Sequence, residues 1–253
     1  MGRLTSQIPL VIPQLWGTIM TGKNPGQHGA FDFWQRGPEG RFREVNGAWL
    51  KQPAIRHVLS EQQLRCGIVN MPFTYPPQRI NGFMISGQDT PGAHRSIAAL
   101  PSVYDELVRT FGRYHLKDIF PGGRRKEDYL TLIEEDVRKQ TDVLEHLIVN
   151  KSWDFFLTFY SATTMAPHYF WAGMESEDKA NQFRQVLPDA YRCLNTASDG
   201  SSMPQVRERL SSCSPNAEQD GCDPACRSTA GSHRKGFWHG KFLLQHQPIV
   251  PMQ

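Results

Sequence analysis

The residues of this chain whose types and spacing could support chemistry are concentrated between Trp16 and Phe33. Glycine and proline are dense there and surround a lysine, an asparagine and a histidine. This motif loop consists of Thr21, Gly22, Lys23, Asn24, Pro25, Gly26, His28 and Gly29. Such a composition marks a backbone that turns tightly or lets another group come close. By residue type alone, the loop fits a phosphate cradle, a metal site or a tight connection.

A Walker-type phosphate loop does not fit the residues around Gly22 and Lys23. That motif needs a glycine five residues before Gly22 and a Ser or Thr directly after the lysine. Gly17 lies at the required distance, but Asn24 follows Lys23, and the segment between the two glycines has a helical pattern.

Two other groups of candidate residues lie downstream. Cys222 and Cys226, with His233 and His239, resemble a zinc finger, but only six residues separate Cys226 from His233, against about 12 in the usual finger. Chance enrichment is the better explanation of these cysteines and histidines.

His168 follows an apolar segment predicted to be a strand, and α/β sheets place their chemistry at the carboxyl ends of strands. By chemistry alone, a packed structural histidine is the favoured interpretation of His168.

Composition limits the class of protein. The chain has 253 residues, enough for one sizeable domain, and a formal net charge of +3, too small to indicate a nucleic-acid partner. We expect no membrane span, because no apolar stretch approaches about 20 residues. Met1–Ser6 has no apolar core of a signal peptide. The five cysteines are an odd number, which favours a reduced, cytoplasmic setting.

Periodicity predicts the elements that must position these residues. Strands are predicted at Cys66–Val69, Phe83–Ser86 and Asp154–Tyr160, the last buried on both faces as in a parallel sheet. Helices are predicted at Gln14–Met20, Pro53–Leu64, Ser102–Phe111, Lys126–Asn150 and Lys179–Ala197. Extended segments are predicted at Leu10–Ile12 and Phe31–Trp34, a turn at Gly37–Gly40, and a loop at Ser161–Pro167. Helices alternating with short buried strands indicate an α/β fold.

Together the motifs carry a resemblance to a known family. Pro13-x-x-Trp16, followed by the motif loop, resembles the type I phosphodiesterase/nucleotide pyrophosphatase family of the alkaline phosphatase superfamily, in its predicted phosphohydrolase/phosphomutase branch. Further matching segments are Val69–Pro77, Asn81–Gly87, Trp153-Asp154 and His168-x-Phe170-Trp171. The resemblance covers about Ser6 to Asn195. It implies an alkaline-phosphatase-like three-layer α/β sandwich with a mostly parallel central sheet, incomplete at both ends.

The same resemblance implies a reaction and its site. Two divalent metals, zinc or manganese, activate a Thr or Ser that attacks a phosphoester small molecule. The nucleophile position falls on Ile12, and a metal aspartate position falls on Thr164. A metal histidine position falls on His168. The first metal aspartate lies upstream of the matching region, and the late Ser-Asp-His-Gly motif and final metal histidine have no counterpart. We therefore expect the metals not to be retained and the chain to be inactive. The alternative is a non-catalytic binding or scaffold protein that reuses the loop at Gly22–Gly29.

The character of the sequence changes near Asp199. We predict a partial alkaline-phosphatase-like domain over residues 1–198 and an anomalous, poorly ordered tail over residues 199–253. Permitted codons for Gly200 to Lys241, read two bases out of phase, give segments similar to two later parts of the family. This predicts a frameshift near Gly200, which sequencing of the gene tests directly.

Overall fold

The computed structural model describes residues 8–9, 11–87, 89–90, 92, 94–112, 126–174, 181–186 and 188–192. The chain divides into two compact units, Met1–Ser161 and Ala162–Gln253, and each is described by itself. The helices of the first unit are α1 (Ile12–Thr21), α2 (Pro25–His28), α3 (Ile55–Glu61), α4 (Pro101–Phe111) and α5 (Lys126–Asn150). Its strands are β1 (Trp34–Arg36), β2 (Phe42–Glu44), β3 (Cys66–Met71), β4 (Gly82–Ser86) and β5 (Phe155–Thr158).

A parallel sheet forms the centre of the first unit. Its strand order is β4-β3-β5, and β3 pairs in parallel with both neighbours. Every residue of β3 is buried, as expected of a strand covered on both faces. The predicted α/β class and the parallel pairing of these three strands are therefore confirmed.

Helices cover both faces of this sheet. On one face, α4 and α5 pack onto a buried cluster that includes Val69, Ile85, Leu107, Leu144 and Leu147. On the other face, the Cys66 thiol lies 3.9 Å from the carbonyl oxygen of Arg56 in α3. The ring of Trp16 in α1 meets that of Phe159 edge to face, with 5.1 Å between centroids. This arrangement of helix, sheet and helix is the layering that the family resemblance implies.

The helix α5 has the bounds predicted from its periodicity, Lys126–Asn150. Three- and four-residue steps, or multiples of them, predict one apolar face for Leu130, Ile133, Val137, Leu144 and Ile148. Ile133, Val137 and Leu144 are buried and Ile148 is half-buried, while the side chain of Leu130 lies outside the described part of the chain. A long amphipathic segment with charges between its apolar residues is thus the part of the chain that local pattern defines best.

Three predictions in the first unit are wrong in detail. Ile12 is the first residue of α1 rather than the end of an extended segment, since Pro13 fixes a helical φ in the first turn. The sequence predicts Ser102 as the cap of the helix that ends at Phe111, but the cap of α4 is Leu100, because Pro101 occupies that helix's first turn. The strand β5 is only half-buried, because within the described residues it pairs on one side only.

The predicted helix at Pro53–Leu64 is shorter, and its buried face differs from the prediction. Apolar spacing predicts that Ile55, Val58 and Leu59 share the inward face of this helix. The helix spans Ile55–Glu61, with Ile55 and Val58 exposed and Leu59 half-buried. The fully buried side chain is Arg56 instead. Apolar spacing alone selected the wrong face because the polar partner of Arg56 comes from a distant part of the chain.

The sequence predicted the turn of a β-hairpin but only part of its strands. Strands β1 and β2 pair antiparallel across the predicted turn at Gly37–Gly40, where the Gly40 amide donates to the Gly37 carbonyl at 2.9 Å. The predicted extended segment Phe31–Trp34 overlaps β1 only at Trp34.

The second unit contains α6 (Ala162–Met174) and a 3-10 turn at Gln182–Gln185. The rings of Phe170 and Phe183 pack with centroids 5.3 Å apart. The loop predicted at Ser161–Pro167 is wrong, because α6 runs through Pro167.

The predictions for Leu10, for most of Lys179–Ala197 and for residues 199–253 fall wholly or partly outside the described residues. No helix in the described part of the chain combines the length and apolar character needed to cross a bilayer.

Candidate functional site

The nucleophile position of the family resemblance lies at the amino end of α1. Val11 is the extended residue that precedes this helix, and Ile12 is the helix's first residue. The Ile12 side chain is a hydrocarbon, so it supplies neither a hydroxyl for attack on phosphorus nor an electron pair for a metal. In the register that the resemblance implies, the nucleophile position therefore carries no hydroxyl.

The motif loop lies at the opposite end of the same helix. Gly22 ends α1 with φ +65°, and its amide donates to the Thr18 carbonyl at 2.8 Å. Ten residues of α-helix separate the loop from Ile12 by about 15 Å. The carboxyl end of a helix carries the negative end of its dipole, which disfavours a phosphate. This position favours the tight-connection interpretation over a phosphate cradle.

Hydrogen bonds within the loop satisfy most of its polar groups. The Thr21 hydroxyl donates to the Gly17 carbonyl at 2.7 Å. The same hydroxyl oxygen accepts the Lys23 amide at 3.2 Å. The Asn24 side-chain oxygen accepts the Gln27 amide at 3.1 Å and so caps the short helix α2. Gly29 ends α2 with φ +84°, a conformation that glycine adopts without strain.

We expect Asn24→Ala to lower the free energy of unfolding by about 0.5–1 kcal/mol, because it leaves the Gln27 amide without its cap. Urea denaturation followed by circular dichroism measures this change. Lys23→Ala, one residue earlier, is the matched control and is expected to change it by less than about 0.5 kcal/mol. Equal effects of the two substitutions would contradict the capping role of Asn24.

His28 is fully buried beneath this loop and is held by both ring nitrogens. The Ala30 amide donates to Nδ1 at 3.2 Å, so Nδ1 is unprotonated. Nε2 therefore carries the proton in the neutral ring and can donate to the Thr18 hydroxyl at 3.1 Å. Burial lowers the pKa of His28, although the Gln14 carbonyl opposes this shift. A neutral imidazole with both nitrogens occupied serves structure rather than metal binding.

The close approach of His28 to α1 explains the glycine at position 17, in the middle of that helix. A Cβ added at Gly17 would lie 2.5 Å from His28 Cε1, closer than carbon atoms pack. Only glycine at position 17 leaves room for the ring. His28 therefore fastens the loop to the middle of α1, which fixes the angle at which the chain leaves that helix.

A glutamine joins the loop to the hairpin that follows it. The Gln35 side chain donates to the Gly29 carbonyl at 3.1 Å and accepts the Phe31 amide at 2.6 Å. The Gln14 side chain, from α1, donates to the Phe31 carbonyl at 2.7 Å. These hydrogen bonds thus connect α1, the motif loop and the β1–β2 hairpin.

The carboxyl edge of the parallel sheet carries polar groups that sequence reasoning missed. Asn70, near the end of β3, adopts φ +62°, a left-handed conformation that asparagine tolerates better than most residues. Among the described residues, the buried Thr158 Oγ1, at the end of β5, and Ser161 Oγ, just beyond it, have no hydrogen-bond partner. Buried polar groups of this kind are normally satisfied by ordered water or a polar ligand. The sequence signal that could have identified these groups is the presence of serine and threonine at the ends of predicted strands.

A buried arginine lies beside the connections that leave β3 and β4. Arg56 Nη2 donates to the Gln78 side-chain oxygen at 2.8 Å, whereas Nε and Nη1 have no partner within the described ranges. Burial lowers the pKa of Arg56 to about 10, with Asp89 opposing the shift. Burial raises the pKa of Asp89 to about 6, against the hydrogen bond that its carboxylate accepts from the Tyr75 amide. These residues anchor the loop after β3 by tertiary contacts.

Thr164 and His168, the two metal positions of the resemblance, lie in the second unit. Both are on α6, four residues apart, so they occupy adjacent turns on the same side of the helix. Thr164 is half-buried and His168 is exposed. Across the described residues, no group of three or more His, Cys, Asp and Glu side chains is placed to hold a metal ion.

The available donors do not fit a two-metal site. Such a site needs several anionic oxygen or imidazole ligands around each cation. Ile12 contributes none, Thr164 contributes a neutral hydroxyl, and His168 contributes one imidazole. We therefore derive no catalytic step through a metal.

Comparison with known proteins identifies a family. A sequence profile of the family described as type I phosphodiesterase / nucleotide pyrophosphatase matches residues 2–197, more than half of the chain. No curated protein and no solved structure matches the chain.

Proposed function

Because this chain belongs to the type I phosphodiesterase/nucleotide pyrophosphatase family, we propose that it descends from a metal-dependent hydrolase of phosphodiesters or pyrophosphates and is itself catalytically inactive. The observation that carries this proposal is Ile12 at the first position of α1. A hydrocarbon there cannot form the covalent phosphoryl intermediate that a Thr or Ser makes possible.

The ligand positions support the same proposal. Loss of a carboxylate at position 164 removes both a metal ligand and the charge that balances a divalent cation. His168 alone can bind a divalent ion only weakly, so the paired zinc or manganese ions of the intact family are not retained. The proposed setting is the cytoplasm, in agreement with the free thiol of the buried Cys66.

An assay with bis(p-nitrophenyl) phosphate tests the proposal. We expect the purified full chain, with zinc or manganese added, to release p-nitrophenol no faster than buffer with the same metal. The His168→Ala variant should behave identically. Metal-dependent turnover by the unaltered chain would overturn the inactive assignment.

The His168→Ala variant distinguishes two ways in which the proposal of inactivity could fail. Turnover that disappears in His168→Ala would overturn inactivity but support His168 as a ligand. Turnover that survives in His168→Ala would show that the chemistry lies elsewhere in the chain.

The second candidate function is a non-catalytic binding protein built on the same fold. The observation that favours it is the pair of buried hydroxyls of Thr158 and Ser161 at the carboxyl edge of the sheet, which have no hydrogen-bond partner in the part of the chain that the structure describes. Ligands of α/β proteins bind at this edge. The motif loop at Gly22–Gly29 contributes indirectly, since it orients α1. Calorimetric titration with a nucleoside monophosphate distinguishes this candidate, because binding heat without turnover is expected only of a binding protein.

A further inference from the structure

The outer face of the β1–β2 hairpin carries an unusual set of side chains. Trp34 pairs with Glu44, and Arg36 pairs with Phe42. Because side chains alternate along a strand and paired residues share a face, these four residues lie on one side of the hairpin. Gln35, on the opposite side, is bonded to the motif loop. We call Trp34, Arg36, Phe42 and Glu44 the hairpin face.

The hairpin face exposes aromatic surface to solvent. Trp34 is 60% exposed and Phe42 is 65% exposed. The Arg36 guanidinium lies 5.5 Å from the centre of the Phe42 ring, which orients both groups. Together the two rings expose on the order of 250 Å². Outward faces of antiparallel strands are normally polar, so exposed aromatics here indicate a surface that is covered by a partner.

The charges of the hairpin face are complementary to themselves. Arg36 and Glu44 occupy one diagonal of the face, and Trp34 and Phe42 occupy the other. A twofold axis along the aromatic diagonal superimposes each aromatic side chain on its own copy. The same axis brings Arg36 over Glu44 of the partner subunit, and Glu44 over Arg36 of the partner subunit. This self-complementarity is the requirement for an isologous contact.

We infer that the hairpin face is a self-association surface and that its occupant is the hairpin face of a second copy of this chain. Aromatic stacking at the centre, with two charge pairs at the rim, resembles the composition of protein interfaces. The two rings supply less than the roughly 800 Å² per partner of a standard interface, so we expect a dissociation constant in the micromolar range. The inference is independent of whether the chain hydrolyses phosphoesters.

A nucleic acid is disfavoured as the occupant by the local charge balance. Between Phe31 and Glu44, three basic residues (Arg36, Arg41, Arg43) are matched by three acidic ones (Asp32, Glu39, Glu44). Binding of a polyanion depends on an excess of basic groups.

Sedimentation velocity over about 1–100 μM protein tests the inference on the full chain. We expect a concentration-dependent monomer–dimer equilibrium that Trp34→Ser/Phe42→Ser shifts to monomer. Ile55→Ser/Val58→Ser is the matched control, because it removes two exposed apolar side chains from α3. The control should dimerise as the unaltered chain does. A monomer at 100 μM, or an unchanged dimer in Trp34→Ser/Phe42→Ser, would overturn the inference.

Charge reversal gives a test that misfolding cannot imitate. Arg36→Glu alone and Glu44→Arg alone each place like charges together in the dimer, and each is expected to be monomeric. Mixing these two variants restores both charge pairs, so a heterodimer should form. The inference is wrong if the mixture stays monomeric while the unaltered chain dimerises, or if either single variant dimerises normally.

Discussion

Replacement of His28 by alanine is expected to lower the free energy of unfolding by about 2–4 kcal/mol. The side chain is fully buried, so its loss leaves a cavity against Gly17. It also leaves the buried Ala30 amide without an acceptor, which adds a desolvation penalty. Urea denaturation at pH 7.5 measures the change. His168→Ala, which removes an exposed imidazole, is the control and is expected to cost less than about 0.5 kcal/mol.

A double-mutant cycle with Gly17 makes this prediction specific. Gly17→Ala alone should destabilise the chain by about 1–3 kcal/mol, because the new Cβ meets the His28 ring at 2.5 Å. In the His28→Ala background the ring is absent, and alanine exceeds glycine in helix propensity by about 1 kcal/mol. The same substitution should then be neutral or stabilising. Additive effects of the two substitutions would contradict the packing of His28 on α1.

Sequence predicted those parts of the fold that depend on local pattern. The apolar run of β3 and the apolar periodicity of α5 each determine the type of secondary structure locally, whatever those segments contact in the folded chain. Glycine at positions 22 and 29 was a sound sign of a turning backbone, since both residues have positive φ. These features are properties of a few consecutive residues, so they can be predicted without knowing what lies across the fold.

Predictions from the sequence failed where a contact with a residue distant in the chain determines which side chain is buried. Arg56 is buried because Gln78, 22 residues away, accepts its hydrogen bond. Apolar spacing in α3 could not reveal that contact. Likewise, Tyr160 meets Thr141 across the interface of sheet and helix, 3.0 Å between hydroxyl oxygens. The polar groups at the carboxyl edge of the sheet were missed for the same reason.

At the candidate site, too, the sequence predicted what depends on residue type but not what depends on tertiary contacts. Residue type alone identified Ile12 as unreactive, and the structure adds that it begins a helix. The motif loop invited a chemical interpretation because lysine, asparagine and histidine occur together. In the structure, Asn24 and His28 are occupied in capping and packing. A set of residues with catalytic types can therefore be a family signature while serving only to fix the direction of the chain.

The second large effect concerns Asp136, on the buried side of α5. Its carboxylate accepts a hydrogen bond from the Gln140 side chain at 2.7 Å, and the buried Gln140 oxygen has no partner among the residues that the structure describes. Burial raises the pKa of Asp136 from 3.8 to about 7, with Lys139 opposing the shift. Below about pH 7 the folded chain therefore favours the protonated acid, which can donate a hydrogen bond where the carboxylate cannot.

The sign of the pH dependence follows from this raised pKa. The stabilisation is fully present below pH 3.8, the unfolded value, and is lost as the pH rises through about 7. Each unit of pKa difference corresponds to about 1.4 kcal/mol, so the loss between pH 4 and pH 8 is at most about 4 kcal/mol. Asp89, whose pKa is raised by burial to about 6, contributes a loss of the same sign.

Asp136→Asn isolates the contribution of Asp136. The amide is uncharged at every pH and places a donor beside the unpartnered Gln140 oxygen. We expect the variant to exceed the unaltered chain in free energy of unfolding by about 2–4 kcal/mol at pH 8. The difference should shrink to about 1–2 kcal/mol at pH 5 and approach zero only below pH 3.8, where Asp136 is protonated in the unfolded chain as well. Asp142→Asn, a partly exposed position on the same helix, is the control, with an expected change below about 0.5 kcal/mol at either pH. Urea denaturation at pH 5, 6, 7 and 8 measures all three proteins, and parallel curves for Asp136→Asn and the unaltered chain would contradict a protonated Asp136.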